Sequence, residues 1–258
     1  MVELKGAIAV VSGASSGLGR RFALDLAAAG ATVTGLARRE ALLTALADEM
    51  RPKSPASTVL VCDVSDTAGY AAALASIEKT HGRIDVLINN AGIGEPPGEA
   101  AHPLDPYRAV METNFFAAVA GTLAVLPGML DRRRGVIVNV SSDTARAPGP
   151  GETAYGASKA ALSAFSESIS YEAEGRGVSV HVLYPGWVPT AMSVGDAESP
   201  SIPPRIVRRT DEQVSRLLLS RLGRPRVDID AAPIARLAPV ARSLLPRVYR
   251  RAVAKAAG

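Results

Sequence analysis

A tyrosine and a lysine stand four residues apart in the stretch Thr153-Ala154-Tyr155-Gly156-Ala157-Ser158-Lys159. On a helix that spacing puts both side chains on one face. A phenol ionises only near pH ~10 in water, so it is a poor acid–base group at neutral pH. An ammonium beside it favours the phenolate and lowers that pKa, which makes the two a candidate proton-transfer unit. Ser142 lies thirteen residues before the tyrosine, where the apolar run in Asn139-Val140-Ser141-Ser142 ends. Its hydroxyl would hold a substrate oxygen beside the phenol. The competing account is plain structure: this spacing is common on helices, and paired serines are ordinary at strand ends.

A second set of residues suits a phosphate. Ser12-Gly13-Ala14-Ser15-Ser16-Gly17-Leu18-Gly19 follows the apolar run 7–12 and opens a helical stretch near 17–29. Glycines there let the chain turn sharply and let a pyrophosphate approach main-chain N–H groups at a helix N-terminus. The spacing is G-x3-G-x-G, which a simple tight turn also satisfies; its place between a strand and a helix favours the cradle. The next apolar run ends at Ala37-Arg38-Arg39. NAD-binding sheets carry a carboxylate at that point for the ribose diol. A guanidinium instead grips a 2′-phosphate in bidentate fashion. NADP(H) is therefore the preferred reading, with NAD(H) the alternative and a solvated arginine pair opening the next helix the bland one. Asp63, just past the third run, is placed to accept from an adenine amino group. Cys62 beside it reads as a small core residue.

These residues need a scaffold that brings them together. Short, almost continuously apolar runs at 7–12, 32–37, 58–62, 84–88, 135–140 and 178–184 alternate with helical stretches near 17–29, 40–51, 67–81, 106–130 and 153–175. Strands of that kind are covered on both faces, and strands separated by helices imply right-handed crossovers and a parallel sheet. After Trp187 the alternation breaks. Residues 189–210 hold Pro189, Pro200, Pro203 and Pro204 and read as a loop or lid; a helix near 211–221 and a short strand at 226–229 follow.

At this point the chain resembles the short-chain dehydrogenase/reductase family, classical type. The resemblance rests on S-G-A-S-S-G-L-G at 12–19, C-D-V at 62–64, N-N-A-G at 89–92, Asn114 in E-T-N-F, Ser142, Y-G-A-S-K at 155–159 and Y-P-G at 184–186. It covers residues 5 to about 192. It implies a Rossmann-like, doubly wound α/β fold: a parallel sheet of about seven strands in three α/β/α layers. It also implies roles. Tyr155 would be the general acid in reduction and the general base in oxidation, Ser142 would orient the carbonyl, and Lys159 would lower the Tyr155 pKa and hold the nicotinamide ribose. Asn114 would hold a water in a relay from Lys159. The cofactor would lie on Gly13, Ser15, Ser16, Gly17, Leu18 and Gly19, on Arg38 and Arg39, on Asp63 and Val64, and along Asn90, Ala91 and Gly92. Pro185, Gly186, Val188 and Thr190 would line its nicotinamide, with Tyr155 and Lys159 opposite. The substrate would be a small carbonyl or alcohol, and the protein a homodimer or homotetramer. Three departures stand out. Ser12 replaces the usual threonine, Ser16 replaces the basic residue some NADP-dependent members place in the turn, and the V-D-G-G closure of many tetramers is missing.

The totals bound the rest. The chain has 258 residues, 47% of them hydrophobic, which suits one large domain with a substantial core. A single cysteine excludes an intrachain disulfide, and no apolar run reaches the ~18 residues of a membrane span. A cytoplasmic protein is the expectation. The net charge of +4 hides an asymmetry: residues 203–258 carry +9 and the rest −5. Such a chain is not a uniformly basic nucleic-acid binder. His81, His102 and His181 follow no metal-ligand spacing, so no metal site is expected. The expected organisation is a catalytic domain over 1–230 and a basic helical extension over 231–258, divided by Pro239 and Pro246. That extension packs on the domain or a sister subunit, touches a membrane peripherally, or binds an acidic partner; the second option goes with an apolar or lipid-like substrate. The rival to an enzyme is a non-catalytic NADPH-binding scaffold or regulator that docks through its tail; the intact set of Asn114, Ser142, Tyr155 and Lys159 argues against it.

Overall fold

A computed structural model describes residues 2–94, 103–194 and 205–257. Seven strands form one sheet: β1 Ile8–Ser12, β2 Thr32–Ala37, β3 Thr58–Val61, β4 Val86–Asn89, β5 Gly135–Val140, β6 Val178–Tyr184 and β7 Asp228–Asp230. All pairings are parallel and the order is β3-β2-β1-β4-β5-β6-β7. The direction of winding reverses between β1 and β4. In such a sheet the crevice beyond the strand ends at that reversal is where a ligand binds.

The strands are apolar on both sides because both sides are covered. Ala9, Val11, Val86 and Ile88 face one core with Phe22, Leu26 and Leu46. Their neighbours Val10 and Leu87 face the other with Tyr70, Leu74 and Met129. Helices α1 (Gly17–Ala28) and α2 (Glu40–Met50) cover the first side, joined by a later helix, Asp211–Arg221. On the second side lie α3 (Thr67–His81), α4 (Leu104–Met111), α5 (Ala117–Asp131) and α6 (Thr153–Ala173). The expected elements are all present, with small shifts. β4 begins at Val86; the buried Asp85 before it accepts the Ile8 N–H through its carboxylate at 2.9 Å and pairs with Arg83. The short seventh strand lies at 228–230, two residues past its expected start.

Helices α4 and α5 are one rod, Leu104–Asp131, joined by a π turn at Glu112–Phe116. The rod has the length and hydropathy of a membrane span, yet it packs on α3 and α6 and against β4 and β5. Beyond β6, the chain forms a short α7 (Ala191–Val194), a 3-10 turn Arg205–Val207 and α8 (Asp211–Arg221). The proline-rich stretch 195–204 and His102, both expected near the substrate, lie outside the described residues. A 3-10 turn Pro233–Arg236 leads into α9 (Leu237–Leu244) and α10 (Pro246–Ala257). Pro246 divides these helices as expected. Pro239 does not, because it sits in the first turn of α9, where a missing N–H breaks no helical bond.

Candidate active site

The glycine turn is held by the end of β4. Ser12 Oγ accepts the N–H groups of Asn90 at 3.0 Å and Ala91 at 3.1 Å, so the hydroxyl retained at position 12 has a defined task. Asn90 Nδ2 donates back to the Ser12 carbonyl at 3.0 Å. Gly13 has φ +67°, and a Cβ there would lie 2.8 Å from Ala91 Cα. A Cβ on Gly19 would lie 2.4 Å from the Gly13 carbonyl oxygen. Only hydrogen fits at either place, and the turn stays open toward the crevice.

A cleft of about 530 Å³ runs from this turn across the strand ends. The end where an adenine is expected is edged by Arg38, Arg39, Asp63 and Val64. The two arginines differ. Arg39 reaches over the turn and donates to Ser15 Oγ at 2.8 Å and Ser16 Oγ at 2.6 Å. Arg38 points outward, 3.9 Å from Asp63, and both are half-exposed or more. Asp63 is held below the usual carboxylate range, first by the Ser65 hydroxyl. Burial pushes the Cys62 thiol up, so it is a poor thiolate.

The other end holds the proton-transfer candidates. Ser142 leaves β5 in extended conformation and accepts the Thr144 N–H, which opens a 3-10 turn Asp143–Ala145. Its hydroxyl lines the same cleft as Tyr155 and acts to lower that phenol's pKa. One helical turn beyond, the Lys159 ammonium donates to the Val140 carbonyl at 2.8 Å and lies 5.8 Å from the Tyr155 ring centroid. Burial lowers the Lys159 pKa to about 8. The expectation for Tyr155 has to be corrected. Among the protein's own groups its phenol is pushed up, chiefly by burial; the Ser142 hydroxyl opposes this, and Glu152 and Asp143 add to it. A lysine at this distance that is itself dehydrated does not outweigh the lost solvation of a phenolate.

Every residue expected along the cofactor lines the cleft except Gly19, which acts through close packing beneath it. Asn114 does not line it either. Buried in the π turn, its Oδ1 accepts the Ile93 N–H at 2.8 Å, and its Nδ2 donates to the Ile93 carbonyl at 3.0 Å and to Ser158 at 3.1 Å. It thus ties the loop after β4 to α6. A Cβ on Gly92 would meet Asn114 Oδ1 at 3.1 Å and Lys159 Nζ at 3.5 Å, so glycine leaves those two groups a common gap. Thr190 folds back on the turn, its methyl 3.2 Å from a Cβ built on Gly17.

Two polar networks escaped the sequence reading. Beneath the site, Tyr70 donates to Asn89, Asn89 to Asn139 and Asn139 to Ser166, each at 2.8 Å. Beside it, Arg146 stacks 3.4 Å from the Tyr184 ring centroid and pairs with Asp228 and Asp230. Asp143 lies at the edge of this network, its carboxyl pushed up to about 6 by burial, with Asp230 adding to the shift and Arg146 and Arg209 opposing it. The only available signal was D-x-D in 228–230, which reads equally well as a solvated edge. His181 is buried as expected: its Nε2 accepts the Gly223 N–H, and its Nδ1 lies 2.9 Å from the Arg226 carbonyl.

A parallel sheet, a glycine turn at the winding reversal and a serine–tyrosine–lysine set at one cleft define a dinucleotide-binding oxidoreductase fold. Residues 7–200 match the short chain dehydrogenase family model. A short chain dehydrogenase of Pseudocercospora fijiensis is 39% identical over 75% of this chain, which spans 63% of that protein's length. The dehydrogenase/reductase SDR family member 7B of Bos taurus is 33% identical over 98% of this chain and 82% of its own. The crystal structure of a short chain dehydrogenase/reductase from Burkholderia phymatum in complex with NAD superposes with a TM-score of 0.84 at 24% identity, over 95% of this chain and 96% of that one. The chain belongs to the short-chain dehydrogenase/reductase family, classical type.

Proposed function

We propose that this oxidoreductase interconverts a carbonyl and an alcohol with NADP(H) as its preferred cofactor. The observation that carries the reading is that Ser142, Tyr155 and Lys159, the lysine one helical turn beyond the tyrosine, line one end of the cleft that the glycine turn opens. The turn suits a dinucleotide, since Gly13 and Gly19 leave room for no side chain. When bound, the dinucleotide supplies or accepts the hydride.

The protein handles the proton. Ser142 holds the substrate oxygen beside the phenol. Tyr155 donates its proton to that oxygen in reduction and takes one in oxidation. A phenol pushed up by burial is protonated at pH 7, which suits the acid role. The base role needs the ammonium of Lys159, half of which is lost at about pH 8. Asn114 acts behind the site, fixing the Ile93 loop to α6 so that Lys159 and Tyr155 keep their places. At the far end, Arg39 and Arg38 offer two guanidiniums and no acidic residue at the end of β2, which supports a 2′-phosphate.

The test is oxidation of NADPH against NADH over aldehydes and ketones of graded chain length. Faster turnover with NADPH on at least one carbonyl supports the reading. Preference for NADH sinks the NADP assignment. Binding of either cofactor with no turnover across the panel favours the non-catalytic scaffold.

A further inference from the structure

The end of the chain is built for a surface the fold does not supply. Helix α9 sets Leu237, Val240 and Leu244 on one face, at i, i+3 and i+7. That face is turned outward: Leu244 is 73% exposed and Leu237 61%. Leu245 and Val248 continue the apolar surface into α10 and are equally open. The helices pack chiefly on each other and on the turn Pro233–Arg236, not as a layer on the sheet. Exposed Arg242, Arg247, Arg250 and Arg251 flank this surface. Residues 231–258 hold five arginines, one lysine and no acidic side chain.

The root of the tail is anchored firmly. Arg236 shares Asp230 with Arg146, donating to it through Nε at 2.7 Å. Exposed Ile234 belongs to the turn that packs beside Arg205–Val207, and the Val207 carbonyl accepts the Trp187 N–H at 3.0 Å on the cleft rim. A large apolar face accompanied by exposed arginines that enter no ion pair among the described residues has an unusual match in chemistry. A second copy of the tail would bring like charges together. A sheet of anionic headgroups over acyl chains satisfies both features at once.

We propose that α9 and α10, with Ile206 and Ile234 beside them, form a docking surface for an anionic lipid bilayer. The arginines meet the headgroups and the Leu237–Leu244 face enters the acyl boundary. Docking of this kind requires no turnover, so it stands or falls separately from the oxidoreductase reading.

The experiment is co-sedimentation of the full chain with phosphatidylcholine vesicles, with and without phosphatidylserine, at low and raised salt. Two double variants accompany it, Arg247→Glu/Arg250→Glu and Leu237→Ser/Leu244→Ser, each checked for its melting temperature and NADPH binding. All are run by sedimentation velocity without lipid. The expected result is binding to the anionic vesicles that salt weakens. The arginine variant loses roughly 25-fold or more in partition, at about fivefold for each of the two charges removed, and the leucine variant loses binding without loss of fold. Equal partition on both vesicle types, or no binding, overturns the proposal. So does a leucine variant that keeps lipid binding but turns a dimer into monomers, because the face is then a contact between copies.

Discussion

The two ends of the cleft are built on different physics. At the proposed adenine end the cleft offers main chain and water-exposed guanidiniums, with Arg38 only loosely paired to Asp63. At the nicotinamide end the working groups are dehydrated, with Lys159 4% exposed and the Tyr155 phenol pushed up by its burial. Charges in water are screened and replaceable, while buried ones are strong and costly. The adenine end is therefore expected to tune which cofactor binds, by modest amounts. The other end is expected to decide whether chemistry occurs at all.

The largest effect expected from this contrast is at Tyr155. Tyr155→Phe should lower kcat by roughly 10²–10⁴-fold with little change in NADPH affinity, measured by steady-state kinetics and fluorescence titration. Lys159→Met should also lose most turnover, yet gain stability. The folded-state pKa of Lys159 is depressed to about 8, so burying the ammonium costs stability below that pH, and the cost fades as pH rises from about 8 toward 10.5. The variant escapes that cost, and its thermal unfolding at pH 7 should show a gain of about 1 kcal/mol after the lost bond to Val140. Arg146→Met should cost about 3 kcal/mol, because it strips a partner from two carboxylates and removes the stack on Tyr184. Its denaturant midpoint should fall accordingly.

Smaller effects sharpen the comparison. Arg38→Glu should weaken NADPH by roughly ten- to a hundredfold and NADH far less; equal losses would remove the 2′-phosphate assignment. Asp143→Asn takes away a charge that raises the Tyr155 pKa. The rise of alcohol oxidation with pH should then move to lower pH, measured as the pH profile of kcat. A shift upward would mean that Asp143 acts on the turn's geometry rather than through its field.

The same contrast explains what could be read in advance. The glycine turn, the Tyr155–Lys159 spacing and the six principal strands were legible because each depends on local geometry. A turn needs glycine at Gly13, a helix face repeats at i+4, and covered strands are apolar throughout. The direction of the Tyr155 shift was misjudged because a pairwise argument sees the lysine and not the burial around both. Arg146 lies far in sequence from Asp228 and Asp230, and nothing local marks the three as one network. The π turn at Asn114 was equally hidden, since the residues of Glu112–Phe116 differ little from an ordinary helix. Pro239 was over-read: a proline in a first turn opens a helix and does not end it.

The most direct single measurement is a crossed one. The turnover number and the NADPH dissociation constant are determined together for wild type, Tyr155→Phe and Arg38→Glu, on one carbonyl substrate. The account predicts that the first variant loses kcat and keeps cofactor affinity, while the second loses affinity and keeps most of kcat. Full turnover in Tyr155→Phe would contradict it.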